Sequence, residues 1–330
     1  MNVQNRTDGK HLALPMKDRD GRGRVVVIVK YTYRVGARGA VERDDDGVVP
    51  HAIDVSNGDD PATSSIKIPS DVFEHKPGTD VVLTADAHPR RQSGATHVDV
   101  SLRMGPIAKT VRAFGLRVWQ RGMLSGVSPG PALAMREPLP ILYELAWGGV
   151  DVSNPEKPLS EPRNLLGRGI TREPGKLVGQ PASQLELVDK ANVPASFGAI
   201  HRHWAPRAAF AGTYDQAWMD TRMPLLPLDF DPRFNVCVPH DQWSPTPLFG
   251  DEPIEITNAT EDGVWRVQLP REAPAFSSII AGERRTHPTH LDTVVIDARE
   301  RRLELTWRAS ILTPPKLEKI DEIRIQPGRS

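Results

Sequence analysis

The sequence predicts a mainly β fold, and three observations carry that prediction. The chain has 31 prolines and 26 glycines, a load that breaks long helices and favours short strands joined by turns. Its longest β-branched run, Val25-Val26-Val27-Ile28-Val29, leads straight into Lys30-Tyr31-Thr32-Tyr33 and has strand length. Elsewhere apolar residues recur every second position, as at Val98, Val100, Leu102 and Met104. The expected arrangement is antiparallel strands in two packed sheets or a β-sandwich-like arrangement, with a long ordered Pro/Gly-rich middle segment and few short helices.

In chain order, the run from Val25 is apolar enough to be buried on both faces, and Tyr31 and Tyr33 then share one face. Strands are expected over residues 80–87, 97–104 and 107–120, with Gly105-Pro106 as the tight turn of a hairpin between the last two. Near the other end, residues 293–297 and 303–307 flank the charged connection Ala298-Arg299-Glu300-Arg301-Arg302. That pattern predicts a second hairpin whose Leu303, Leu305 and Trp307 face the core.

Between these regions, residues 148–250 are broken by prolines from Pro155 to Pro239 and cannot hold a long helix. Short helices are expected around residues 214–222 and 183–189. The remainder reads as ordered loop burying Trp204, Phe210, Trp218, Phe230, Phe234 and Trp243. Three regions follow: β-rich 1–150, a loop platform at 151–250, and a β-hairpin region at 251–330, which can pack as one domain.

Lys plus Arg total 42 and Asp plus Glu total 42, so no basic surplus exists for phosphate neutralisation and nucleic acid is not an expected partner. Residues 1–24 are rich in charge and lack the apolar core of a secretory signal, and no apolar run approaches the roughly 20 residues of a membrane span. A cytoplasmic location away from the membrane is expected. Cys237 is the single cysteine, which excludes an internal disulfide and suits a reducing compartment.

His201, His203, Asp229, Asp231, His240 and Asp241 are residue types that bind divalent metals, and they define one alternative, a metal-assisted hydrolase. Nothing in their spacing requires them to converge, and surface or capping roles are the expectation. Asp215, Asp229 and Asp231 stand beside Gly, Thr, Asn or Pro or within one residue of them, where carboxylates brace turns by accepting backbone N–H bonds. Ser196 is outside any Gly-x-Ser-x-Gly elbow, and no phosphate loop or dinucleotide fingerprint occurs. No catalytic residue, metal or cofactor is therefore assigned. Trp204, Arg207, Tyr214, Trp218, Arg233 and Phe234 combine aromatic surface with guanidinium donors, a composition enriched at binding hot spots, and are the candidate partner-binding residues. Exposed aromatics on a β scaffold would also suit a carbohydrate-binding module, the third reading.

An ordered series of short motifs spans nearly the whole chain. It runs through Lys76-Pro77-Gly78-Thr79-Asp80-Val81, Arg117-Val118-Trp119, Tyr143-Glu144-Leu145-Ala146-Trp147-Gly148-Gly149-Val150-Asp151 and Asn164-Leu165-Leu166-Gly167-Arg168-Gly169. Gly212-Thr213-Tyr214-Asp215-Gln216-Ala217-Trp218, Leu226-Pro227-Leu228-Asp229-Phe230-Asp231-Pro232-Arg233-Phe234-Asn235, Pro239-His240-Asp241-Gln242 and Leu291-Asp292-Thr293-Val294-Val295-Ile296-Asp297 follow. The series resembles a family of domains of unknown function found in type VI secretion loci beside genes for spike proteins and toxins. Leu116 departs from it where relatives often carry a charge. The resemblance implies a non-enzymatic adaptor or chaperone whose partners are a toxic effector and the spike or spike-tip protein onto which the effector is loaded.

Overall fold

Five consecutive β-branched residues at 25–29 all have 0% exposure, because their strand lies in the middle of a sheet covered on both faces. The computed structural model describes residues 2–36, 39–90, 94–122, 126–314 and 320–328. In chain order the strands of its large sheets begin with β1 (Asn2–Asn5), β2 (Lys10–Lys17), β3 (Gly23–Val35), β4 (Val41–Arg43) and β5 (Thr79–Thr84). Next come β6 (His97–Met104), β7 (Ile107–Phe114), β8 (Leu185–Leu187), β9 (Trp243–Ser244), β10 (Pro253–Thr257) and β11 (Val264–Gln268). The last are β12 (Pro274–Ile280), β13 (Glu283–His287), β14 (His290–Asp297), β15 (Arg302–Leu312) and β16 (Ile320–Pro327).

These form a seven-stranded sheet in the order β9-β5-β14-β15-β3-β2 with β4 beside β3, a five-stranded sheet β8-β7-β6-β10-β11, and a four-stranded sheet β1-β16-β12-β13. The mainly β prediction holds; the five-stranded sheet is antiparallel throughout, while the seven- and four-stranded sheets are mixed. β5 pairs with β14, and β1 with β16, in parallel. Each of these pairs joins segments more than 200 residues apart, so no tight turn dictates their direction.

Both predicted hairpins form. Met104 pairs with Ile107 across Gly105-Pro106, and Gly105 takes a positive φ of 52°, the first central position that II′ turns reserve for glycine. Ile296 pairs with Leu303 and Asp297 with Arg302 around the charged loop. The strand expected over 107–120 ends earlier, at Phe114. A Cβ on Gly115 would lie 2.0 Å from the carbonyl oxygen of Leu133, so the chain passes that crossing only as glycine. The helix expected at 183–189 is replaced by β8, in which Leu185 and Leu187 pair with Ala113 and Val111. Three residues of apolar–polar–apolar sequence carry too little periodicity to separate the two outcomes.

One apolar cluster joins all three sheets. It contains Val27, Val29, Tyr31 and Leu305 from the seven-stranded sheet, Val100, Leu102 and Ile256 from the five-stranded sheet, and Phe276, Ile323 and Ile325 from the four-stranded one. Each fully buried aliphatic side chain of this kind contributes roughly 1.5–3 kcal/mol. Leu303, Leu305 and Trp307 face this core as expected.

Their polar neighbours do not reach water. Lys30, Glu304, Thr306 and Arg308 are each 2% exposed or less on the opposite face. Residues 49–77 cross that face and satisfy them. Lys30 Nζ lies 2.8 Å from Asp71 Oδ2 and 3.4 Å from Glu304 Oε2. The Arg308 guanidinium donates to Asp292 (2.6 Å), to the carbonyl of Asp71 (2.7 Å) and to that of Phe73 (2.9 Å), and it stacks 3.8 Å over the Phe73 ring. Among the described residues no helix is long and apolar enough to cross a membrane.

Candidate partner-binding surface

Residues 196–243 cover the other part of this face. Two buried side chains, Asp80 and Gln242, hold them there, and a third, Arg207, ties the segment to itself. Asp80, on β5, accepts the Lys76 ammonium (2.8 Å) and the backbone N–H and thiol of Cys237 (2.8 and 3.0 Å) on the same oxygen. Burial, with Asp80 beside it, raises the Cys237 thiol far above its ordinary pKa, so it stays protonated and can donate. Gln242, 0% exposed, donates to the carbonyls of Val81 (2.9 Å) and Phe197 (2.8 Å) and accepts from Lys109 Nζ (2.7 Å). Arg207 donates to the carbonyls of Ile200 (2.6 Å) and Phe234 (3.0 Å).

The adjoining glycine-rich motifs are also internal bracing. Asn164, 0% exposed, donates to the carbonyls of Tyr143 (2.8 Å) and Trp147 (2.9 Å). Gly148 passes so close that a Cβ would sit 2.3 Å from the Asn164 carbonyl oxygen.

The bracing leaves two surfaces. The first is a groove of about 420 Å³ lined by Lys109, Tyr143, Ile200, Pro206, His240 and Asp241, among others. Burial pulls the Lys109 ammonium below its ordinary pKa, and Asp241, 3.1 Å away, pulls the other way. Burial raises the Tyr143 hydroxyl, which therefore stays protonated.

The second surface is the lobe around α1 (Gln216–Thr221). Asp215 caps this helix by accepting from the Trp218 N–H at 2.8 Å. The Trp218 indole donates to the Leu225 carbonyl (2.8 Å), and its ring meets Tyr214 edge-on with centroids 4.7 Å apart. Asp229 accepts from the backbone N–H (3.0 Å) and hydroxyl (2.7 Å) of Thr213, and these bonds hold its carboxyl below the usual carboxylate range. Gly212, at φ +83°, turns the chain beside it. The lobe exposes Tyr214, Met219, Met223 and Leu228 by 53, 53, 63 and 71%. Asp215→Ala is expected to remove the cap at a cost of about 1 kcal/mol, read as a lower Tm with the β-sheet circular dichroism retained.

The six candidate binding residues divide between inside and outside. Trp204 is 1% exposed and packs edge-on against Tyr143 at 5.4 Å, and Arg207 is 5% exposed, so both belong to the interior and present no surface to a partner. Tyr214 is exposed on the α1 lobe, and Trp218 is half-buried beneath it. Arg233 is exposed but occupied: it donates to Asp231 at 2.9 Å and stacks 4.3 Å over Phe210. Asp231 also accepts the Arg233 backbone N–H (2.8 Å). Phe234 is half-buried against Phe230, with centroids 5.8 Å apart.

The metal-type residues are dispersed on other duties. The His201 ring, 3.0 Å from the Ser64 carbonyl oxygen, packs on Trp204, and its burial lowers its pKa. Asp241 pairs with Lys109. Among the described residues no three His, Cys, Asp or Glu side chains are grouped to hold a metal ion. Ser196 donates to the Ile141 carbonyl (3.1 Å) in the interior.

Sequence reasoning overlooked Lys109, Gln242, Met219, Met223 and Leu228. Apolar side chains such as these occur both inside and outside folded proteins, and only the three-dimensional arrangement shows Met219, Met223 and Leu228 outside.

No curated protein and no solved structure matches this chain. A protein-family profile described as "Uncharacterized protein conserved in bacteria (DUF2169)" matches residues 20–308, a span that takes in both the braced platform and the α1 lobe. The chain thus belongs to the DUF2169 family.

Proposed function

We propose that this protein is a non-enzymatic cytoplasmic adaptor of a type VI secretion system, which holds a toxic effector and promotes its loading onto the spike or spike-tip protein. The ordered motif series supports the secretion context. The observation that carries the binding role is the α1 lobe, where Tyr214, Met219, Met223 and Leu228 stay exposed on a segment braced from below. Clustered exposed methionines give an adaptable apolar surface suited to a protein partner. Such an adaptor works through binding free energy alone and releases its cargo when a stronger competing interface forms.

Coexpression with the toxins and spike proteins encoded beside it, followed by size exclusion, is expected to show comigration with one toxin. Separate elution from all of them at micromolar concentration sinks the reading. Changing Met219, Met223 and Leu228 together to serine is expected to weaken the complex at least tenfold, about 1.4 kcal/mol. Exposed positions such as these usually change stability by no more than about 0.5 kcal/mol each, so Tm is expected to move little. Chelator treatment is expected to leave the affinity unchanged. An affinity lost to chelation and restored by zinc or manganese favours the metal-assisted hydrolase instead.

A further inference from the structure

A cavity of about 520 Å³ lies between the seven-stranded and four-stranded sheets, away from the α1 lobe. Tyr31 of β3, Arg43 of β4 and Trp307 of β15 line it, together with Arg6, which follows β1, and Arg271 and Glu272, which precede β12. Two of its buried donors have no acceptor among the described residues: Arg43 Nη1 and the Trp307 indole N–H. Trp307 is 2% exposed, and a buried donor left without a partner at a cavity wall marks a place where one is expected. Trp119 and Trp265 also carry buried indoles without acceptors among the described residues. Trp307 differs because an acceptor-free guanidinium nitrogen lines the same cavity.

Arg43 is held in place for a ligand. Its guanidinium stacks 4.1 Å over Tyr31 and 4.5 Å over Tyr33, and its Nη2 donates to Glu272. One edge is thus anchored while Nη1 stays unused. The Arg6 backbone N–H donates to the Ile325 carbonyl (2.9 Å), while its guanidinium donates to the side chain of Gln4 (3.2 Å) and has no carboxylate partner among the described residues. Arg271 reaches Asp251 at 3.2 Å.

We propose that this cavity binds a carboxylate carried on an apolar body. Arg43 and the Trp307 indole supply hydrogen bonds to the carboxylate oxygens, and Tyr31 with the exposed Phe249 at the rim supplies aromatic surface. Three guanidinium groups and two carboxylates, Asp8 and Glu272, line the space. With Arg271 offset by Asp251, Arg6 and the free edge of Arg43 remain to meet a ligand's charge, which suits a monoanion and disfavours a dianion such as phosphate. The volume is far larger than a carboxylate alone needs, which leaves room for the apolar body.

The test uses the purified full chain, calorimetric titration, and the Trp307 indole N–H resonance assigned through Trp307→Phe. The probes are phenylacetate, its neutral isostere phenylacetamide, inorganic phosphate and the peptide acetyl-Ala-Ala-Phe with a free carboxyl group. Phenylacetate is expected to saturate the site and shift the Trp307 indole resonance, with the amide at least tenfold weaker. Arg6→Gln, at an exposed position, is expected to weaken binding several-fold without lowering Tm. Peptide binding tenfold tighter than phenylacetate identifies the source of the carboxylate as a chain end, and weaker peptide binding identifies a free organic acid. Equal binding of acid and amide, equal binding of phosphate, or no response of the Trp307 resonance overturns the proposal. The site and its test are independent of the effector-adaptor reading.

Discussion

Arg308→Met is expected to destabilise the protein by about 3–5 kcal/mol, the range for removing one partner of a buried ion pair. Arg308 and Asp292 are 1 and 0% exposed, with Nε 2.6 Å from Oδ2. The substitution also strips the carbonyls of Asp71 and Phe73 of a donor. Burial alone raises the Asp292 pKa, but Arg308 and then Lys76 outweigh it and hold the carboxyl below its ordinary 3.8. A carboxyl depressed in the folded state contributes stability that is fully present above the unfolded value and is lost as pH falls through the folded one. In the intact protein this contribution therefore disappears only below about pH 4. Without Arg308 the strongest influence opposing burial is gone, so the Asp292 pKa is expected to rise and the folded variant to take up its proton at higher pH than the intact protein does. The deficit of the variant is then largest near pH 7 and shrinks toward pH 4. Urea denaturation at the two pH values measures this, and a deficit that is equal or larger at pH 4 rejects the assignment of the cost to an unpaired Asp292 carboxylate.

Asp80→Ala is expected to cost a similar 3–5 kcal/mol, because it leaves the fully buried Lys76 ammonium without its carboxylate. It has a second, regional consequence. Asp80 is the acceptor that ties Cys237 to β5, so its loss weakens the hold on residues 196–243, which then keep Gln242 and the β9 pairing as their ties to the sheet below. Limited proteolysis of the folded fraction is expected to cut within that segment before it cuts the apolar sandwich. Lys76→Met serves as the comparison: it leaves the Cys237 bonds in place, and its first cleavage sites are expected elsewhere. Identical cleavage patterns for the two variants contradict the bracing role of Asp80.

The strands of the two hairpins and the run from Val25 were legible because they rest on local signals, whereas β2, β10, β11 and the whole four-stranded sheet were not expected. Gly105-Pro106 and the charged run 298–302 mark turns whose geometry their own residues dictate. The second face of the seven-stranded sheet was not legible. Lys30, Glu304 and Arg308 alternate with apolar residues as solvent-facing positions do, and their partners Asp71 and Asp292 come from separate segments. Periodicity reports that two faces differ and is silent on whether a distant loop covers the polar one. The candidate site failed for a related reason. Aromatic and arginine content describes a buried layer as well as an interface, so Trp204 and Arg207 carried the right composition in the wrong place. The turn-forming aspartates depend on neighbours within a few residues or one loop away, and the hydrogen bonds of Asp215 and Asp231 are of that local kind.

The position of β3 between β2 and β15 also sets an order of events during synthesis. β2 can pair with it as soon as residue 35 emerges, but its other neighbour begins at Arg302. Until the ribosome has made that later segment, β3 has one unsatisfied hydrogen-bonding edge, and its five consecutive β-branched residues lack half of their cover. So distant a pairing makes closure of the sheet slow and leaves the nascent chain open to strand-to-strand association with other copies. The bacterial cell must therefore carry most of each chain in an incomplete state, in which a holdase that shields β3 would raise the yield of folded protein.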